Sequence, residues 1–102
     1  MATSIQIILG SGEVHSLTVS ANGKPINTMS TYDIWLEHCT SGDTIMAYQH
    51  PGKFRWGIPD DPARIDMMLG ELDVSIADGL WRIWLIYPNG KIHGGEVLIT
   101  TS

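Results

Sequence analysis

The stretch LWRIWLIYPNGKIHGGEVLI, residues Leu80–Ile99, decides the fold of this chain. In an extended strand, successive side chains point to opposite faces. A strand over Leu80–Tyr87 therefore has one face made of Trp81, Ile83, Leu85 and Tyr87, and another made of Arg82, Trp84 and Ile86. A strand that is apolar on both faces is typical of the centre of a sheet. This stretch is therefore predicted to be the middle of the fold, and Trp84 is left to be explained.

The second half of this stretch predicts a return strand. Asn89-Gly90 indicates a hairpin, since both residues tolerate positive φ. The strand that follows, Lys91–Thr100, contains Gly94-Gly95, which permits a bulge or bend. A β-hairpin is therefore expected at the C-terminal end of the chain.

Turn signals recur through the rest of the chain at intervals of about 8–12 residues, which is typical of a β-sandwich or barrel. The runs between them are rich in residues that suit strands. We expect one domain over residues 1–102, an all-β, Ig-like β-sandwich of seven to eight mostly antiparallel strands. The predicted strands are Ser4–Leu9, Glu13–Ala21, Tyr32–His38, Thr44–Tyr48, Phe54–Trp56, Ile65–Leu69, Leu80–Tyr87 and Lys91–Thr100. A helical turn is expected near Leu72–Ile76, and a hairpin turn at Gly10-Ser11-Gly12.

Composition excludes several classes of protein. Six basic and eleven acidic residues give a net charge of −5, and the scattered basic residues form no stripe for nucleic acid. No apolar run approaches the roughly 20 residues that span a bilayer. Residues Met1–Ser4 show neither the basic nor the apolar region of a signal peptide, so no secretory signal is expected. The single cysteine, Cys39, indicates folding in a reducing compartment such as a host cytoplasm.

Motifs for catalysis or cofactor binding are missing from the sequence, so neither an enzyme nor a cofactor is expected. Zinc ligands usually come in closely spaced pairs, and His38-Cys39 would point to opposite faces of a strand. Cys39 is therefore interpreted as a small buried residue, and the histidines as surface or loop groups: His15, His38, His50 and His93.

The aromatic residues are the strongest candidates for function. In the run YDIWLEH, Trp35 lies on the face opposite Ile34 and Leu36 and is flanked by acids. Interfaces between proteins have aromatic-rich centres, so an interface is predicted at Trp35, Tyr48, Trp56 and Trp84. Core burial competes for each of them, because a tryptophan buries a large apolar area. A carbohydrate-binding module that stacks sugars on Trp35, Trp56 and Trp84 is the alternative.

Two segments carry a resemblance to a known family. They are SLTVSANGKPINTMSTYDIWLEH, residues Ser16–His38, and DGLWRIWLIYPNGKIHGGEVLI, residues Asp78–Ile99. Their layout resembles the small Ig-like β domains of tailed-phage structural proteins, such as the N-terminal domains of baseplate upper proteins and tail-fibre adaptors. The resemblance implies a non-enzymatic virion component, a tail or baseplate accessory or a capsid decoration protein. Its partners would be other virion proteins or further copies of itself, as in a homotrimer.

Overall fold

The computed structural model describes residues 3–101, which form an all-β, sandwich-like fold. In chain order the strands are β1 Thr3–Ile7, β2 His15–Thr18, β3 Ser20–Ala21, β4 Lys24–Pro25, β5 Asp33–His38, β6 Thr44–Met46, β7 Phe54–Arg55, β8 Arg64–Met67, β9 Gly79–Tyr87 and β10 Gly90–Thr101. Short 3-10 helices lie at Ala47–Gln49 and Leu69–Glu71. The predicted all-β sandwich is confirmed, with more and shorter strands than expected.

The strands are arranged in two sheets and a ribbon. Five strands form a mixed sheet in the order β1-β10-β9-β5-β6, three form an antiparallel sheet in the order β2-β8-β7, and β3 pairs with β4. β9 lies in the middle of the five-stranded sheet, antiparallel to both neighbours. β1 runs parallel to β10 at one edge. The central position predicted for the Leu80–Tyr87 run is therefore confirmed.

The hydrophobic core lies between the inner faces of the two sheets. β9 contributes Trp81, Ile83 and Leu85, each at most 2% exposed. They pack with Leu17 and Ile65 of the three-stranded sheet. Full burial of such a side chain stabilises a fold by about 1.5–3 kcal/mol. The face of β9 that alternation predicted to be internal is thus the core face.

The β9–β10 hairpin turns one residue earlier than predicted. Tyr87 pairs with Gly90, so the loop residues are Pro88 and Asn89. The predicted hairpin is therefore confirmed, and Gly90, not Asn89, has the positive φ. Proline favours the first central position of a turn because its ring holds φ near −65°.

A bulge interrupts β10 where two glycines follow each other. The register with β9 shifts between His93 and Glu96, which confirms the prediction made from Gly94-Gly95. A Cβ on Gly94 would lie 3.3 Å from the Cβ of Val19. This glycine therefore lets β10 approach the β2–β3 segment closely.

The prediction for His38 and Cys39 is wrong at both residues. His38 is buried and Cys39 is exposed. His38 ends β5 on the same face as Ile34 and Leu36, so strand alternation directs its ring into the core. Cys39 follows the last residue of the strand and points to solvent.

The segment around Gly70 corrects two further predictions. The helical turn lies at Leu69–Glu71, ahead of the expected Leu72–Ile76. The Gly10 N–H donates to the Gly70 carbonyl at 2.7 Å, which holds the β1–β2 connection against this turn. Gly10-Ser11-Gly12 therefore links strands of different sheets and does not form a hairpin.

Candidate functional site

The outer face of the five-stranded sheet carries a row of large side chains across four strands. Trp84 of β9 lies directly opposite Trp35 of β5, and Trp35 lies opposite Met46 of β6. On the other side, Trp84 lies opposite His93 of β10. Directly opposite residues share a face of the sheet. We name His93, Trp84, Trp35 and Met46 the tryptophan row.

The solvent-facing side of a sheet is ordinarily polar, but this one also carries several large apolar side chains. Trp35 and Trp84 remain half-buried, although the core lies on the opposite side of their strands. Leu80, Ile86 and Leu98 occupy the same outer face, by their register with residues of known orientation. The outer face therefore combines apolar and aromatic side chains with charged ones.

Hydrogen bonds from both indoles to acids of β5 orient the tryptophans. Trp35 Nε1 donates to Asp33 Oδ2 at 2.8 Å, and Trp84 Nε1 donates to Glu37 Oε1 at 3.1 Å. Arg82 lies 3.4 Å from the same Glu37 oxygen. Bonds to a charged acceptor are stronger than neutral ones. The two rings are consequently held in defined orientations before any partner binds.

Basic groups cover the ring of Trp84. The Lys91 Nζ lies 4.3 Å from the centroid of this ring, and the Arg82 Cζ lies 6.0 Å from it. The His93 ring is tilted against it at 5.5 Å. Cations over an indole face are attracted by the ring quadrupole. The contacts place two of the six basic residues of an acidic chain at the tryptophan row.

Asp33 is the most unusual group of the site. The residue is only 7% exposed, and within residues 3–101 its Oδ1 has no hydrogen-bond partner. A buried unpaired polar atom costs roughly 1–3 kcal/mol. Such violations of polar satisfaction are expected at functional sites. Asp33 therefore orients Trp35 through one oxygen while its other oxygen lowers stability.

The four residues predicted for an interface do not all come together. Trp35 and Trp84 are adjacent on the outer face. Trp56 packs against the core, and its Nε1 donates to the Thr31 carbonyl at 3.0 Å. Tyr48 is exposed on the 3-10 helix that follows β6.

The residues that surround the tryptophans were not predicted to belong to a site. These are Asp33, Glu37, Met46, Arg82, Lys91 and His93. The positions of the two acids could have been derived from the sequence, because alternation puts residues 33, 35 and 37 on one face of β5. Arg82 shares a face of β9 with Trp84 by the same alternation, whereas Met46, Lys91 and His93 become neighbours only through pairing between strands.

A second cluster of chemical groups surrounds His38. Its Nε2 lies 3.0 Å from the Asp78 carbonyl, and its Nδ1 accepts from the Ser41 N–H at 3.0 Å. A carbonyl can only accept, so Nε2 carries the proton. The ring also meets Trp81 edge-on at 5.0 Å. Both ring nitrogens thus serve to join the β5–β6 turn to the start of β9.

A groove of about 840 Å³ opens near Leu9, Lys53 and Val74. The charged groups on its wall are partly paired, since Lys53 Nζ lies 2.9 Å from Glu71 Oε2. Pockets with converging polar groups are the usual ligand sites. The outer face is a stronger candidate for the functional site than this groove, because it has the unpaired Asp33 oxygen and the two oriented indoles.

No protein-family model matches the chain, and no curated protein matches it either. Within residues 3–101, no group of three or more His, Cys, Asp or Glu residues is arranged to hold a metal ion. The described part of the chain also has no helix with the length and apolarity needed to cross a membrane.

Proposed function

We propose that this chain is a non-enzymatic protein-interaction module whose contact surface is the outer face of the five-stranded sheet. The observation that carries the proposal is the Trp35–Trp84 pair, which lies on the side of the sheet away from the core. Tryptophan, methionine and arginine are enriched at the centres of protein interfaces, and charged groups form the rim. The tryptophan row, with Arg82 beside it, has this composition.

The hydrogen bonds of the site support the same proposal. Side chains that must be immobilised on binding lose conformational entropy, which lowers affinity. Trp35 and Trp84 are already oriented by Asp33 and Glu37. A partner would therefore meet two prearranged aromatic anchors, the residue type that dominates binding energy at interfaces.

The family resemblance suggests where the protein acts. Small Ig-like domains of tailed phages act as structural parts of the particle, so we propose a virion role as a tail or baseplate accessory or a capsid decoration protein. The protein would then sediment with purified particles in a density gradient. Particles that contain none of it would contradict the virion role but would not test the proposed interaction face.

Site-specific photo-crosslinking in the cells that produce the protein tests the interaction face. The crosslinker replaces Ile86, which neighbours the tryptophan row, and in a matched control it replaces Thr18, which is exposed on β2 of the other sheet. We expect a crosslinked protein only from position 86, and its loss when Trp84→Ala is added. Equal crosslinking from both positions, or no effect of Trp84→Ala, would overturn the proposal.

Carbohydrate binding is the second candidate, and it depends on Trp35. Lys91 already occupies a face of the Trp84 ring, whereas no described aromatic or cationic group stacks on Trp35. A tryptophan-fluorescence titration with a glycan panel separates the two functions. A saturable change that Trp35→Ala abolishes would favour sugar binding and displace the protein-interaction proposal.

A further inference from the structure

β1 forms an unprotected edge of the five-stranded sheet. It pairs with β10 on one side only. Residues 3–12 contain neither a charged side chain nor a proline. Natural proteins usually block exposed edges with charges, prolines, bulges or very short strands. None of these devices is present in β1, so its outward N–H and C=O groups are available for pairing.

The other edges of the two sheets are shorter. β6 has three residues and leads at once into the 3-10 helix. β7 has two residues and includes Arg55, and β2 has four residues. β1, with five, is the longest edge. It is therefore the position where a further strand would gain most main-chain hydrogen bonds.

We propose that β1 pairs antiparallel with β1 of a second copy of this chain, about a two-fold axis at Ile5. This register places Ile5 opposite the partner's Ile5, and Ser4 opposite the partner's Gln6. A second copy fits this edge because β1 is complementary to itself in this register, as a two-fold interface requires. Copies that each carry a net charge of −5 repel, and like charges directly opposite each other destabilise a sheet. The Thr3–Ile7 edge brings no charges together, and it covers the half-buried Ile5.

The pairing has a geometric consequence. A two-fold axis perpendicular to the sheet joins the two five-stranded sheets edge to edge and keeps both outer faces on the same side. Since each copy has one β1, the assembly closes after two copies, in contrast to the homotrimer expected from the sequence. Two tryptophan rows on one side would bind a repetitive surface with avidity. This avidity rests on the proposed function, whereas the dimer itself does not.

A charge-swap pair of variants, measured by light scattering on a size-exclusion column over a range of concentrations, tests the dimer. Ser4 and Gln6 are exposed, so both variants should keep their far-UV circular dichroism. Ser4→Lys with Gln6→Lys sets like charges opposite each other at both pairs, and should weaken association about tenfold or more. Ser4→Lys with Gln6→Glu sets opposite charges there and should retain the dimer.

The wild type is expected at twice the monomer mass of 11.2 kDa. A wild type of monomer mass at every concentration, a trimer or larger ring, or a dimer unaffected by the paired lysines would overturn the β1 pairing. Trp35→Ala and Trp84→Ala should leave the dimer intact. Failure of the dimer and failure of the interaction face are therefore separate results.

Discussion

Trp35 and Trp84 lie directly opposite each other on β5 and β9, and each donates its indole N–H to an acid of β5. Those acids, Asp33 and Glu37, stand two residues before and two residues after Trp35. Because side chains alternate along a strand, Asp33, Trp35 and Glu37 share the outer face. A short segment of β5 thus positions both rings of the site.

Truncation of the two tryptophans of β9, Trp81 and Trp84, should lower stability by very different amounts. Trp84→Ala removes an outer-face side chain and should lower the free energy of unfolding by about 1 kcal/mol. Trp81→Ala opens a cavity in the core and should cost about 3–5 kcal/mol. Urea unfolding followed by circular dichroism measures both. An equally large loss in Trp84→Ala would make Trp84 a residue of the fold and not of an interface.

Gly79 and His38 should be energetically coupled. Gly79 has φ +130°, and a Cβ there would lie 2.9 Å from His38 Nε2, the atom that bonds the Asp78 carbonyl. Gly79→Ala should therefore lower the free energy of unfolding by about 2–3 kcal/mol through backbone strain and the clash. In a His38→Ala background the clash disappears, so Gly79→Ala should cost about 1 kcal/mol less. A double-mutant cycle measures this coupling, and identical costs in both backgrounds would refute it.

Alanine substitutions at Gly70 and Gly52 distinguish the cost of a steric clash from the cost of backbone strain. A Cβ on Gly70 would lie 2.5 Å from the Ile8 carbonyl and 2.8 Å from that of Ser11. Because these are backbone atoms, Gly70→Ala should cost about 3 kcal/mol. Gly52 has φ +80° but open space around it, so Gly52→Ala should cost only about 1 kcal/mol. Thermal and urea unfolding rank the two variants, and the reverse order would contradict the packing at Gly70.

The buried hydroxyl of Thr28 should be essential for the loop packing beside Trp56. Its Oγ1 donates to the Pro62 carbonyl at 2.7 Å and accepts from the Gly57 N–H at 2.8 Å. Thr28→Val keeps the shape of the side chain but leaves the Gly57 N–H without its acceptor. The free energy of unfolding should therefore fall by about 2 kcal/mol. Thr28→Ser retains the hydroxyl and should cost about 0.8 kcal/mol for the lost methyl. Equal losses in chemical denaturation would show that the bonds contribute little.

The sequence by itself determined the all-β class of this protein and the direction of its outer tryptophans. The Leu80–Tyr87 run had to be central because it is apolar on both faces, and Gly94-Gly95 had to bend β10. Alternation alone also turned Trp35 away from Ile34 and Leu36. These features depend on the alternation of side chains along a strand and on local backbone preference, so they can be derived from residues that are close in the chain.

The tertiary structure alone decided which residues meet. Trp35 faces Trp84 only because β5 and β9 pair in one particular register, and Trp56 lies apart from this pair because it packs on the core. Alternation alone directs His38 inward, but its burial is tolerated because Ser41 and the distant Asp78 carbonyl satisfy its ring nitrogens. Register and polar satisfaction depend on residues far apart in the chain, so a period-two pattern cannot specify them.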